Sequence, residues 1–77
     1  ELGALADAPR GGDLVETLEA FFSERENLRA TARRLGVAAR TVSYRLERIE
    51  RILGGPLDEE RRLRLAAALF ARGLVRD

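Results

Sequence analysis

The sequence predicts an all-α fold, a small helical bundle of four to five helices that contains a helix-turn-helix and a further C-terminal helix. Alanine, leucine, arginine and glutamate dominate the chain, and these residues have high helix propensity. Apolar positions recur at helical spacing, and glycine or proline separates one such segment from the next. The 77 residues are enough for one domain, so we expect a single domain over residues 1–77.

Two helices are predicted before the helix-turn-helix. Residues 1–12 are expected to form a short helix over Glu1–Ala8 and a linker, because Pro9 and the glycine pair that follows it interrupt a helix. A stronger helix is predicted over Leu14–Glu24, with Asp13 as its N-cap. Its core face should consist of Leu14, Leu18, Phe21 and Phe22, which recur at helical spacing.

The helix-turn-helix is predicted over Leu28–Leu35 and Ala39–Leu53. Asn27 can cap the first helix, and Gly36 ends it because glycine readily takes the left-handed conformation of a helix C-terminus. The second helix begins only a few residues later, and two helices joined this tightly can place the second one in the major groove of DNA. The turn and the core of the motif are predicted to be Ala32, Leu35, Gly36, Val37, Val42, Leu46 and Ile49.

A last helix is predicted over roughly Glu59–Arg72, with Asp58 as its N-cap and Gly73 at its end. Its core face is predicted to consist of Leu63, Ala66, Ala67 and Phe70. The apolar residues of the first and last helices that remain outside the core are the best candidates for a dimer surface, and they include Leu65, Leu69 and Leu74.

The charge is concentrated in the middle of the chain. The net charge of the whole chain is only +1. Between Arg25 and Arg51, however, eight arginines stand against three glutamates, a balance of +5, and the rest of the chain carries −4. A localised positive field steers anionic partners, so double-stranded DNA is the partner that this distribution favours.

The sequence contains no cysteine and no histidine, which removes thiolate metal sites and the commonest general base. We therefore expect no catalytic residue, no metal and no cofactor. No apolar segment approaches the ~20 residues that span a bilayer, and no signal peptide opens the chain. A cytoplasmic protein without a membrane partner is expected.

A helical wheel of the second motif helix, with Val42 at the centre of its buried stripe, defines an opposite face that would meet the DNA. The first two turns of a recognition helix enter the groove, and the residues placed there to read base edges are Ala39, Arg40, Ser43 and Tyr44. Phosphate contacts are predicted from residues farther along this helix and at the start of the preceding one: Asn27, Arg29, Thr31, Arg48 and Arg51.

Three side chains near this face have two interpretations each. Tyr44 could instead be a partly buried packing residue. Glu47 could accept a hydrogen bond from a cytosine amine, or it could form an i,i+4 ion pair with Arg51. Arg45, at the flank of the buried stripe, could form a structural salt bridge or bind phosphate.

Three segments carry a resemblance to a known family: Asp13–Leu18, Asn27–Ala32 and Thr41–Glu50. They resemble the C-terminal helix-turn-helix of purine catabolism regulator (PucR) proteins, a domain that sugar diacid regulators share. Ile52–Asp58 and Arg62–Leu69 are similar to the family's tail. The resemblance implies sequence-specific binding of double-stranded DNA by a bacterial transcriptional regulator, as a homodimer. It also implies a longer protein with a sensory region upstream of this C-terminal domain.

The chain departs from this family at the start of the recognition helix. Val37–Thr41 replaces the family's usual valine-histidine-arginine-asparagine-threonine, and Gly36 stands where a bulkier residue is common. Because these positions include base-reading residues, no operator sequence follows from the resemblance.

Two other interpretations remain open. The DNA-binding domain of the factor for inversion stimulation shares the pattern of Asn27–Gly36, but it usually lacks a capped helix such as the one predicted after Asp58. The chain could also be a helical oligomerisation or protein-docking module whose arginines are simply solvated. Duplex binding through several phosphates should weaken steeply with salt, whereas docking on an apolar surface should not.

Overall fold

The computed structural model describes residues 2–76, with side-chain environments for residues 2–73; Glu1 and Asp77 lie outside the described part. Residues 2–76 form five helices and no strand: α1 (Leu2–Asp7), α2 (Gly11–Ser23), α3 (Leu28–Leu35), α4 (Ala39–Leu53) and α5 (Glu59–Arg76). The all-α prediction is therefore confirmed. The bounds of α3 and α4 are those predicted from the sequence.

The central helix of the bundle is α2, because it packs against each of the other four. The shared core brings together side chains from four helices and from the connection before α5: Leu5, Leu14, Val15, Leu18, Ile49, Leu57, Leu65 and Leu69. Within residues 2–76, the backbone of α5 packs beside α1 and α2 but not beside α3 or α4. The helix-turn-helix and α5 therefore occupy different parts of the surface of α2.

The start of α2 differs from the prediction. The helix begins at Gly11, and a Cβ at this position would collide with the carbonyl oxygens of Leu5 and Ala6, so glycine allows α2 to begin very close to α1. Asp13 consequently lies inside the first turn, and among the described residues no side chain caps α2. The N-cap prediction for Asp13 was wrong because Gly11 lets α2 begin close against α1, two residues before Asp13.

The buried face of α5 also differs from the prediction. Leu65 and Leu69 are buried in the core, whereas Leu63 is 67% exposed and Phe70 is 70% exposed. Both pairs have helical spacing, so periodicity alone could not choose between them; the packing of α5 on α1 and α2 does. The proposal of Leu65 and Leu69 as dimer-surface residues was therefore wrong, and the side chain of Leu74 lies outside the described residues.

The ends of α5 were predicted with mixed success. The Oδ1 atom of Asp58 accepts a hydrogen bond of 2.9 Å from the backbone N–H of Arg61, which confirms the predicted N-cap. At the other end the helix continues through Gly73 to Arg76, so Gly73 does not terminate it. A glycine ends a helix only where the chain turns into the left-handed conformation, and Gly73 does not adopt a positive φ.

Two polar contacts fix the connections on either side of the helix-turn-helix. The Oε2 atom of Glu50 accepts a hydrogen bond of 2.7 Å from the backbone N–H of Leu57, which ties the end of α4 to the connection that leads into α5. Arg62 Nη1 lies 2.9 Å from Glu26 Oε1, which ties the start of α5 to the connection between α2 and α3. The motif is thus held at both ends by groups outside it.

Candidate nucleic-acid interface

The turn between α3 and α4 forms as its residue types dictate. Asn27 adopts an extended backbone, and its Oδ1 atom accepts a hydrogen bond of 2.8 Å from the N–H of Ala30, so it caps α3 as predicted. Gly36 has a φ of 71°, a left-handed conformation that lets its N–H and that of Val37 bond back to carbonyls of α3. The helix α4 therefore starts only a few residues after α3 ends.

The inner side of the motif closes the angle between the two helices. Ala32, Val42 and Ile49 are buried, and Leu35, Val37 and Leu46 are half-buried. The small side chain of Ala32 allows α3 and α4 to pack closely. The inner side chains of the motif are thus buried or half-buried, and they hold the outer side of α4 toward solvent.

Four exposed side chains define the outer face of α4: Arg40, Tyr44, Glu47 and Arg51. Tyr44 keeps 57% of its surface in solvent, so it is not a packing residue. The guanidinium of Arg51 lies over the Tyr44 ring, 5.9 Å from the ring centroid. Within the described residues, Arg51 forms no ion pair with Glu47.

The other two predicted base-reading positions lie at the edge of this outer face. Ala39 and Ser43 are half-buried. Ser43 lines a shallow groove together with Phe21 and Leu57, on the flank of α4 that faces the end of α2. Arg40 and Tyr44 are therefore the predicted base-reading residues with the most open approach.

The predicted phosphate contacts divide in the structure. Asn27, Arg29 and Arg51 are exposed. Thr31 is 0% exposed, and its hydroxyl donates a hydrogen bond of 2.7 Å to the carbonyl oxygen of Asn27. Thr31 is therefore a structural residue of α3, and its prediction as a phosphate ligand was wrong because a threonine hydroxyl readily bonds to a carbonyl of its own helix.

Arg45 forms a structural hydrogen bond and not the salt bridge considered for it. Its Nη1 donates a hydrogen bond of 3.1 Å to the hydroxyl oxygen of Thr17, and Thr17 in turn donates one of 2.7 Å to the carbonyl oxygen of Asp13. Thr17 is completely buried in α2, so this chain of hydrogen bonds locks α4 onto the central helix. In the sequence, the only signal for such a contact was Thr17, a polar residue at a position of α2 that proves to be buried.

A feature that the sequence did not suggest lies beside α4, at the connection between α1 and α2. Arg48 Nη2 donates a hydrogen bond of 2.8 Å to the carbonyl oxygen of Pro9, so this connection is bound directly to α4. A cleft of about 160 Å³ separates the two, and its wall residues are Arg10, Asp13, Leu14, Thr41, Tyr44, Arg45 and Arg48. The cleft adjoins the outer face of α4, because Tyr44 belongs to both.

Neither a cluster of metal-ligating side chains nor a membrane-spanning helix is found in the part of the chain that the structure describes. Among the described residues, acidic side chains do not gather into any group that could hold a metal ion. Within the same part of the chain, no helix has the length and apolarity needed to cross a membrane. What the geometry offers is an exposed helix face with arginine on it and beside it.

Two helices joined by a tight glycine turn, the second with an exposed basic face, define a helix-turn-helix DNA-binding domain. A family model described as the PucR C-terminal helix-turn-helix domain matches residues 14–71, and the chain belongs to this family. The family is a regulatory DNA-binding domain and not a catalytic one. A search of the curated proteins and of the solved structures returns no significant match.

Proposed function

We propose that this domain binds double-stranded DNA sequence-specifically, as the DNA-binding domain of a PucR-like bacterial transcriptional regulator that acts in the cytoplasm. The observation that carries the proposal is the outer face of α4, which presents Arg40 and Tyr44 while Val42 and Ile49 are buried behind it. A helix with its side chains is about 10–12 Å across, which fits a major groove about 12 Å wide. The family's description as a C-terminal domain supports a longer regulator with an upstream sensory region.

Arg40 and Tyr44 are proposed to read base edges, because they are the exposed residues in the first two turns of α4. An arginine can form two hydrogen bonds to a guanine, and such a pair discriminates against other bases by about 1–3 kcal/mol. Tyr44 can contact a thymine methyl group, and Ala39 and Ser43 border the same region. Asn27, Arg29, Arg48 and Arg51 are proposed to hold phosphates on either side of the bases.

Selection of bound duplexes from a random pool tests this proposal. We expect one enriched sequence motif, and binding to that duplex should weaken steeply as the salt concentration rises. Fluorescence anisotropy with the enriched duplex and a scrambled duplex of equal composition measures both the preference and the salt slope. Equal affinity for the two duplexes would overturn sequence-specific binding, and a flat salt response would favour a protein-docking module with solvated arginines.

Variants of two arginines on α4 separate base reading from phosphate binding. Arg40→Ala should reduce the preference for the enriched duplex, because it removes a contact to a base edge. Arg51→Ala should weaken both duplexes by the same factor and make the salt slope shallower. Arg64→Ala is the matched control, because it removes one exposed arginine from α5, whose backbone does not pack beside α4. An equal loss on both duplexes for Arg40→Ala would contradict its base-reading role.

We further propose that the protein binds paired half-sites as a homodimer, and that the partner surface is an apolar stripe on α5. The stripe consists of Leu63, Ala66, Ala67 and Phe70, and its two large side chains are about two-thirds exposed. A twofold contact brings the same surface of each copy together, so an apolar stripe can pack against its own copy. The alanines between the two large residues allow the two helices to approach closely.

The width of the domain supports a second copy as the occupant of this stripe, and its surface area indicates how strong the contact is. The domain measures 30 × 28 × 25 Å, so two touching copies have centres about one domain width apart. This is close to the ~34–36 Å that separates half-sites one DNA turn apart. A stable interface needs ~800 Å² from each copy, about a sixth of the 5119 Å² of surface of this domain, which is a large share for one stripe on one helix. The dimer is therefore expected to be weak until two adjacent half-sites hold both copies.

The presence of α5 also helps to decide between this function and the alternative, a DNA-binding domain like that of the factor for inversion stimulation. That domain usually ends after its recognition helix, whereas here a capped helix follows and contributes Leu65 and Leu69 to the core. The observation favours the PucR-like function.

A further inference from the structure

We infer that the connection between α1 and α2 is a second phosphate-binding element, with Arg10 as the contacting side chain. The inference rests on the proposed function, because the ligand is a phosphate of the duplex that α4 enters. Its site is the cleft of about 160 Å³ between this connection and α4, named here the Arg10 cleft.

The position of Arg10 is fixed from two directions. On one side, the hydrogen bond from Arg48 to the Pro9 carbonyl joins the connection to α4. On the other side, Gly11 lies against the carbonyl oxygens at the end of α1, so tightly that a Cβ would not fit. These two contacts hold the backbone of Arg10 at a constant place relative to the recognition helix. A residue that contacts a phosphate beside that helix requires such a fixed position.

The backbone of Arg10 is held in an unfavourable conformation. Its φ is 60° and its ψ is 30°, in the left-handed region where glycine is favoured and other residues are strained. The next two residues are both glycine, yet the left-handed position itself carries an arginine with 79% of its side chain exposed. Arg25 and Glu26, in the connection between α2 and α3, also have a positive φ, so the backbone alone does not single out Arg10. What does is its exposed side chain at the wall of the cleft, because burial does not account for that side chain.

The charge of the Arg10 cleft suits an anion. Three arginines and one aspartate line it, a balance of +2. Two of the three guanidiniums are already oriented, since Arg45 donates to Thr17 and Arg48 donates to Pro9. Arg10 is less constrained, because its Nη1 lies 3.9 Å from Asp13 Oδ2, and 79% of the Arg10 side chain and 47% of the Asp13 side chain are exposed. An exposed pair at this distance is weak, so an incoming phosphate can replace the carboxylate.

The location of the cleft matches the path of a DNA backbone. Thr41, Arg45 and Arg48 lie on one flank of α4, and Tyr44 joins that flank to the outer face. A helix that fills the major groove has a phosphate backbone along each flank. The flank that faces Arg10 therefore meets one of the two strands when Tyr44 reaches the bases.

The inference is tested with Arg10→Ala, Arg10→Gly and the control Arg64→Ala. The probes are the duplex enriched from the random pool and its scrambled counterpart, titrated by fluorescence anisotropy between low and moderate KCl concentrations. Arg10→Gly suits the left-handed backbone and should keep the fold at least as stable, so a loss of binding by this variant cannot be attributed to unfolding. Thermal unfolding of each variant checks this point.

We expect both Arg10 variants to weaken binding of the two duplexes alike, by about five- to tenfold at moderate salt, with a salt slope lower by about 0.9. Arg64→Ala should change neither quantity to this extent. The inference would be overturned if Arg10→Ala and Arg10→Gly had the same salt slope as Arg64→Ala. A loss of affinity confined to the enriched duplex would overturn it as well. If the unaltered protein binds neither duplex, the proposed function itself fails, which is a distinguishable result.

Discussion

Gly11 lies at the closest approach between α1 and α2, with the Leu5 and Ala6 carbonyl oxygens where its Cβ would be. Its neighbour Gly12 also belongs to α2, but nothing lies within 4 Å of a Cβ built there. Gly11 and Gly12 therefore differ in what a side chain at their position would meet. Only the first is required by packing, and this difference is visible in the structure but not in the sequence.

The two glycines give opposite predictions for substitution by alanine. Gly11→Ala should lower the free energy of unfolding by about 1–3 kcal/mol, because the added methyl group forces α1 and α2 apart. Gly12→Ala should raise it by about 0.5–1 kcal/mol, because alanine is the better helix former and has open space. Urea denaturation followed by circular dichroism measures both. If Gly11→Ala were as stable as Gly12→Ala, the close approach of the helices would be refuted.

Two buried threonines provide a second comparison at the residue scale. Thr17 accepts a hydrogen bond from the Arg45 guanidinium, whereas the hydroxyl of Thr31 bonds to the Asn27 carbonyl alone. Thr31→Val should therefore cost about 1 kcal/mol of stability. Thr17→Val should cost about 1.5–3 kcal/mol, because it also leaves a half-buried cation without its acceptor. Denaturant titrations of the two variants would contradict this account if Thr31→Val proved the more damaging.

At the scale of a helix, α3 and α4 were predictable because local chemistry marks their ends. Asn27 caps α3 through its own side chain, and Gly36 and Gly54 adopt the left-handed conformation with φ of 71° and 82°. Signals of this kind involve only a few neighbouring residues, so they can be recognised from a single sequence. Arg10, which precedes α2 in a left-handed conformation, gave no such signal because arginine rarely occupies that region.

The cap of α3 can be separated from a contact to DNA. Asn27→Ala should cost about 0.5–2 kcal/mol of stability, because the N–H of Ala30 loses its acceptor. Asn27→Asp keeps an acceptor at the same place and should preserve stability, yet its charge should repel a phosphate. Calorimetry and anisotropy on the two variants check these effects. Unchanged DNA affinity in Asn27→Asp would exclude Asn27 as a phosphate ligand.

At the scale of the whole molecule, the arrangement of α5 could not be read from the sequence. Its periodicity permits two apolar stripes, and the choice between them depends on which one meets α1 and α2. The contact between Glu50 and Leu57 is equally hidden, since it joins the last turn of α4 to a residue beyond a glycine-proline turn. Residues that read bases could be proposed from the wheel of α4 alone, but the Arg10 cleft needed the packing of α1 and α2.

The proposed dimer surface predicts how the molecule binds two half-sites. Phe70→Ser should leave the affinity for a duplex with one half-site unchanged, because this exposed residue lies on α5. The gain in affinity from a second half-site one turn away should fall, because the apolar contact between copies is lost. Leu63→Ser should act in the same way. Anisotropy with both duplexes and sedimentation of the complexes measure these effects, and an undiminished gain in both variants would rule out this surface.

The exposed ring of Tyr44 has an optical consequence. It is the single tyrosine of a chain that contains no tryptophan, and it lies on the outer face of α4 beneath the Arg51 guanidinium. The intrinsic emission of the protein therefore comes almost entirely from one point of the recognition helix. Quenching of that emission reports occupancy of the groove by this face, with no dye attached to either molecule.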